Sequence, residues 1–186
     1  MTKRSINKGD LLLSEPFLGD DNFHRTVIFI CQQNEHGYLG FVLNKKITNA
    51  DLDDVVDEAG GRGFPLYLGG PVENSVLQFI HTLGNKIDNS LEVLPGIYWG
   101  GDFEQVKTMI RNHEIQEGEI KFFLGYSGWG KEQMENELAE KSWMITDASK
   151  KDVFEGNEKE LWKEVLIDMG GKYKIIANYP EDPSLN

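Results

Sequence analysis

Residues 26–31 read Thr-Val-Ile-Phe-Ile-Cys, and this run constrains the fold more than any other stretch of the chain. Its five consecutive apolar residues are far fewer than the ~20 that a membrane-spanning helix requires. They offer no polar face to water and are rich in β-branched side chains, the pattern of a strand buried on both faces. Such a strand needs apolar layers above and below it. A chain of 186 residues can supply them, since folding at this size buries roughly 70% of the unfolded chain's surface. No disulfide assists, because Cys31 is the single cysteine.

The surrounding pattern predicts more sheet. Residues 10–14 read as a strand, and His36-Gly37 turns the chain so that 38–43 returns as a hairpin partner of 26–31. Residues 66–68, 76–82, 91–99, 120–124 and 143–146 are further strand candidates, although 76–82 also fits a helix on periodicity. A helix is expected over 49–59, where Leu52, Val55, Val56 and Ala59 share one face and Thr48 with Asp51 forms a capping pattern. Others are expected over 103–112, capped by Asp102 and Gln105, from 131 to about 140, and over 158–169, stopped by Gly170-Gly171. Several strands follow one another without an intervening helix, which argues for α+β over a doubly wound sheet. One domain over 1–178 with a mobile tail over 179–186 fits the length and the polar, proline-containing end.

Charge narrows the function. Asp and Glu number 31 against 19 Lys and Arg, for a net charge of −12, and no basic run exceeds two residues. A polyanion is repelled by such a surface, so no direct nucleic-acid binding is expected. The beginning of the chain lacks a signal-type apolar stretch, which together with the lone cysteine predicts a cytoplasmic, non-membrane protein.

Three ordered segments carry a resemblance. They are Gly40-Phe41-Val42-Leu43-Asn44, Leu68-Gly69-Gly70-Pro71-Val72, and Gly125-Tyr126-Ser127-Gly128-Trp129 running on to Gln133, Glu137, Ser142 and Trp143. With Phe23, Arg25, Thr26 and Val27, their order and spacing resemble the bacterial YqgE/AlgH family over nearly the whole chain. The resemblance implies an α+β fold whose bent, branching, mostly antiparallel sheet forms a partial barrel with helices around it. It also implies the label of a transcriptional regulator, with no established catalytic residue and no cofactor. Lys131 departs from the small or polar residue expected at its position.

Several chemistries can be weighed on the residues themselves. Residues 125–131 meet the spacing of a phosphate-binding loop, but Glu132 stands where a hydroxyl should hold magnesium, and Tyr126 and Trp129 crowd the loop. The same stretch nearly forms a nucleophile elbow at Ser127, yet all four histidines precede it, and Trp129 replaces the second glycine. The simpler reading is a strand-to-helix turn, with Trp129 packed beneath it and Ser127 capping the next helix. Cys31 reads as a buried, inert thiol. The histidines show no zinc spacing, and Asp51, Asp53, Asp54 and Asp57 read as the solvated start of a helix.

The residues kept as ligand or partner contacts are Asn44 at a strand end, Gly69, Gly70 and Pro71, and Tyr126 with Ser127. The expectation is a non-enzymatic regulatory or interaction protein acting through an unknown protein partner. The alternative is a small-ligand or nucleotide site between the two glycine-rich segments.

Overall fold

The computed structural model describes residues 4–181. Among them, ten strands join one sheet and six α-helices cover it, an α+β fold. The strands are β1 (Asp10–Ser14), β2 (Val27–Asn34), β3 (Gly37–Val42), β4 (Lys46–Asp51), β5 (Pro65–Leu68), β6 (Val72–His81), β7 (Leu91–Leu94), β8 (Ile97–Trp99), β9 (Ile120–Gly130) and β10 (Trp143–Asp147). The helices are α1 (Leu52–Val55), α2 (Phe103–Arg111), α3 (Lys131–Ala139), α4 (Lys150–Phe154), α5 (Leu161–Met169) and α6 (Tyr173–Ile176). The main path runs β10-β1-β2-β3-β9-β6-β8-β7, and the sheet stays open. It branches at β9, which pairs β6 along one side while β3 and β5 share the other. The β5–β9 pair is parallel and the rest are antiparallel.

The apolar run in β2 is buried on both faces, as its composition predicts. Val27, Phe29 and Cys31 join Leu11, Leu13, Phe41, Leu43 and Phe123 in a core covered by α4 and α5. Ile28 and Ile30 face the other way, with Leu12, Val42, Trp129 and Trp143 beneath Met134 of α3. A third cluster gathers Phe122, Phe79 and Leu66 under Val106, Met109 and Ile110 of α2.

Three expectations change. The helix expected over 49–59 is mostly absent: residues 46–51 form β4, and α1 is a single turn. Asp51 and Asp54 make the capping box, and Val56 already has extended backbone. The Asp53 carboxylate accepts the N–H of Gly61 at 2.7 Å and of Gly63 at 2.8 Å, folding the chain back before a second turn can form. Residues 91–99 are a tight hairpin, β7 and β8, and not one strand, because Pro95-Gly96 reverses the chain.

The largest change concerns 125–130, expected as a turn. The strand runs straight through to Gly130, and α3 starts at the next residue without a side-chain cap. Gly125 has φ +71 and sits where β6 and β9 slip register, a bulge that only a residue without Cβ adopts easily. The bulge inverts the alternation. Phe123 before it and Tyr126 after it both face the α5 layer, while Phe122 and Trp129 face the opposite one.

At the far end, the ring of Tyr179 stacks on Phe17 at 5.9 Å. Arg25 Nη2 donates to the carbonyls of Tyr179 and Pro180, each at 2.7 Å. Of the expected tail, 182–186 lie outside the described residues.

Candidate functional site

The two glycine-rich segments nominated by the sequence do meet, backbone against backbone. Gly69 N–H donates to Leu124 O at 2.9 Å, and Gly69 O accepts both the Val42 N–H at 2.9 Å and the Ser127 hydroxyl at 3.1 Å. A Cβ on Gly70, whose φ is +154, would lie 2.3 Å from the Tyr126 carbonyl and 2.4 Å from Ser127 Oγ. The glycines therefore let β9 and the β5–β6 connection pack where no side chain fits. Pro71 is exposed beside this crossing, and Tyr126 stands half-buried opposite Val72. Tyr126 and Gly128 line a shallow concavity of about 390 Å³ together with Tyr38 and Leu39.

Ser127 is buried and bonded to Gly69, not to α3. Asn44 is likewise committed to its own chain. Its Oδ1 accepts the Val27 N–H at 3.0 Å and its Nδ2 donates to Arg25 O at 2.9 Å, holding Arg25 at φ +47. Trp129 is buried, edge-on to Trp143 at 5.6 Å, and Glu137 accepts both indole N–H groups, at 3.0 and 2.6 Å.

Other reactive groups are also tied down. Burial pushes the Cys31 thiol well up. His81, fully buried, has Nε2 3.1 Å from Ser90 Oγ, a contact that suggests a base and nucleophile. Its Nδ1, however, accepts the Leu83 N–H at 3.2 Å, so the proton sits on Nε2, which donates to Gly100 O at 3.0 Å. A base protonated on that nitrogen cannot take the serine's proton. Burial lowers its pKa, only partly opposed by the bond to Gly100. Among the described residues no three His, Cys, Asp or Glu side chains gather as a metal site would need.

Sequence reasoning passed over Lys121. It is 6% exposed, its Nζ lies 4.2 Å above the Tyr67 ring, and it donates to the carbonyls of Leu43 at 3.1 Å and Val153 at 3.3 Å. Burial pushes it down to about 8, partly opposed by Glu158, which accepts the Tyr67 hydroxyl at 2.6 Å. Burial and that bond raise Tyr67 in turn. A lysine at an inward position of the apolar run Ile-Lys-Phe-Phe-Leu was the available signal. Its ammonium fastens α4 to the sheet.

A second missed feature is open to solvent. Between the end of α3, strand β10 and α6 lies a groove of about 740 Å³. Leu138, Trp143 and Ile145 line it from one face of the sheet and Met144, Tyr173 and Ile176 from the other. Lys141 and Lys172 stand at its margin, and neither makes an ion pair within the described residues. Arg4 and Glu15 also border it, Arg4 bound to Asp10 at 2.7 Å and Asp147 at 2.6 Å and Glu15 accepting the Phe17 N–H at 3.0 Å. The sequence hid this groove because α6 is a single turn, and β10 reads simply as a strand.

The branched sheet and the glycine crossing define a class of α+β protein, and comparison places the chain within it. Residues 11–174 match the family described as AlgH-like, and the chain belongs to that family. A UPF0301 protein of Cytophaga hutchinsonii is 43% identical over 182 residues, covering 97% of this chain and 100% of its own. One from Chlorobium limicola is 39% identical, with 97% and 96% covered. The AlgH protein of Pseudomonas aeruginosa shares the fold with a TM-score of 0.72 at 24% identity, over 97% of this chain and 98% of its own. A Corynebacterium diphtheriae protein does so at 0.80 and 18% identity, over 96% and 95%. No helix among the described residues is long and apolar enough to cross a membrane.

Proposed function

We propose that this chain is a non-enzymatic interaction protein of regulatory role, acting through a protein partner held in the groove beside β10. The observation that carries the reading is the groove's composition: apolar walls with Lys141 and Lys172 at the margin, on a molecule of net charge −12. Apolar concavities with a few placed charges are the usual form of a recognition site. A partner with acidic and apolar side chains complements it. Any effect on transcription then runs through that partner, since the rest of the surface repels DNA.

Support for a non-catalytic role comes from the candidate nucleophiles and bases. Ser127, Cys31 and His81 are each buried, and each has a structural bond or burial that accounts for it. The test is the size of the native assembly in a lysate of the source cells. The wild-type chain is expected to migrate well above its 21.1 kDa mass. The Lys141→Glu/Lys172→Glu double variant, folded by circular dichroism, is expected at the free position. Identical migration of the two proteins would contradict the proposal.

A further inference from the structure

The groove has a property that side chains alone do not reveal: its floor is an unpaired sheet edge. Among the described residues, strand β10 ends the sheet and pairs only with β1. Glu15 N–H donates to Ser142 O at 2.9 Å, and Ser14 lies opposite Trp143. In an antiparallel ladder this makes Ser14–Trp143 a non-bonded pair, so that Met144 and Thr146 exchange bonds with Leu13 and Leu11. The N–H and C=O groups of Trp143, Ile145 and Asp147 then point away from β1, toward the groove side. Exposed edges of this kind are templates for another strand.

Three observations coincide there: outward-facing backbone groups spaced two residues apart, apolar walls on both faces of the sheet, and two cations that make no ion pair among the described residues. We infer that the partner contributes an extended segment, apolar and acidic at alternate positions, which adds to the sheet as a strand beside β10. Main-chain bonds to Trp143 and Ile145 hold it, its apolar side chains meet Leu138 and Ile145 on one face of the sheet, and its carboxylates turn to the other face, toward Lys172 beside Tyr173. This inference rests on the groove being the partner site and specifies how the partner is held.

The probe is a capped heptapeptide alternating Glu with Ile or Val, titrated into the full chain and followed by amide NMR. Binding tighter than ~1 mM is expected, with hydrogen exchange at the Ile145 amide slowed at least about tenfold. Two further peptides carry backbone N-methyl groups on all the apolar or all the acidic residues. A strand bonds its neighbour through alternate residues, so one set is expected to abolish binding and the other to leave it intact. Ile145→Pro removes an outward N–H while sparing the bonds to β1, and is expected to fold and to lose at least about tenfold in affinity. Lys141→Glu/Lys172→Glu is expected to prefer a peptide with Lys in place of Glu. Absence of binding at ~1 mM, or equal binding by both methylated peptides, overturns strand addition. The lysate assembly of the two proteins is read independently, so a shift there with no peptide signature retains the groove and removes only the strand.

Discussion

Trp129 ties three elements together, packing on Phe23 and Trp143 while its indole N–H reaches Glu137 of α3. Trp129→Ala is expected to cost about 3–5 kcal/mol, the range for a buried aromatic. Ser127→Ala removes one bond to a carbonyl that keeps its Val42 partner, and is expected to cost about 1 kcal/mol. Urea unfolding of both variants compares them directly, and a Trp129→Ala protein as stable as wild type would remove the aromatic cluster from the account. Lys121 gives a pH signature. Its folded pKa, about 8, lies below its unfolded value of 10.5, so between these the unfolded chain binds more protons and stability rises with pH. Above pH 10 the raised Tyr67 works in the opposite direction. Unfolding free energy is expected to climb from pH 8 to 9 by at most about 1.4 kcal/mol per unit for Lys121, a slope that Lys121→Met reduces, while above pH 9 the raised Cys31 thiol opposes it. The same slope in both proteins would place the titration elsewhere.

At the scale of elements, the glycine crossing fixes how β9 serves as the branch point. Gly70→Ala sets a Cβ against the Tyr126 backbone at a positive φ, and is expected to lower stability by more than about 2 kcal/mol. Gly19→Ala, with nothing within 4 Å, is expected to change it by less than about 0.5 kcal/mol. Thermal unfolding separates the two, and a tolerated Gly70→Ala would mean the crossing is loose. The same elements explain what could be read beforehand. β1, β2, β3 and β10 were legible because apolar alternation or a solid apolar run specifies them locally. The fate of 125–130 was not, because glycine composition signals a turn, and only pairing with β3 and β6 keeps it extended. The helix over 49–59 failed for a related reason: its apolar spacing was genuine, but Val55 is 45% exposed and Asp53 is drawn to the Gly61 turn. Asn44, nominated as a contact, holds the backbone of Arg25 and Val27. The groove escaped notice because it is built from pieces distant in sequence, each unremarkable alone.

For the whole molecule, the balance of charge and shape decides the reading. A net charge of −12 with dispersed basic residues predicts no sequence-selective duplex binding in physiological salt; a selective shift at sub-micromolar protein in a gel assay would contradict it. Two of the cations that make no ion pair among the described residues stand beside the apolar groove, on a chain whose exposed apolar residues include Ile175 and Tyr179 at or near the same end. We therefore propose function at this sheet edge and architecture at the glycine crossing. Site-specific photo-crosslinking in the source cells tests that assignment most directly, with the reactive side chain placed at Ala139, exposed on the groove wall, and, as a control, at Lys86 beside the α2 concavity. The account predicts one discrete adduct from position 139, lost when Ile145→Pro is added, and none from position 86. Adducts of equal yield from both positions, or none from 139, would contradict it.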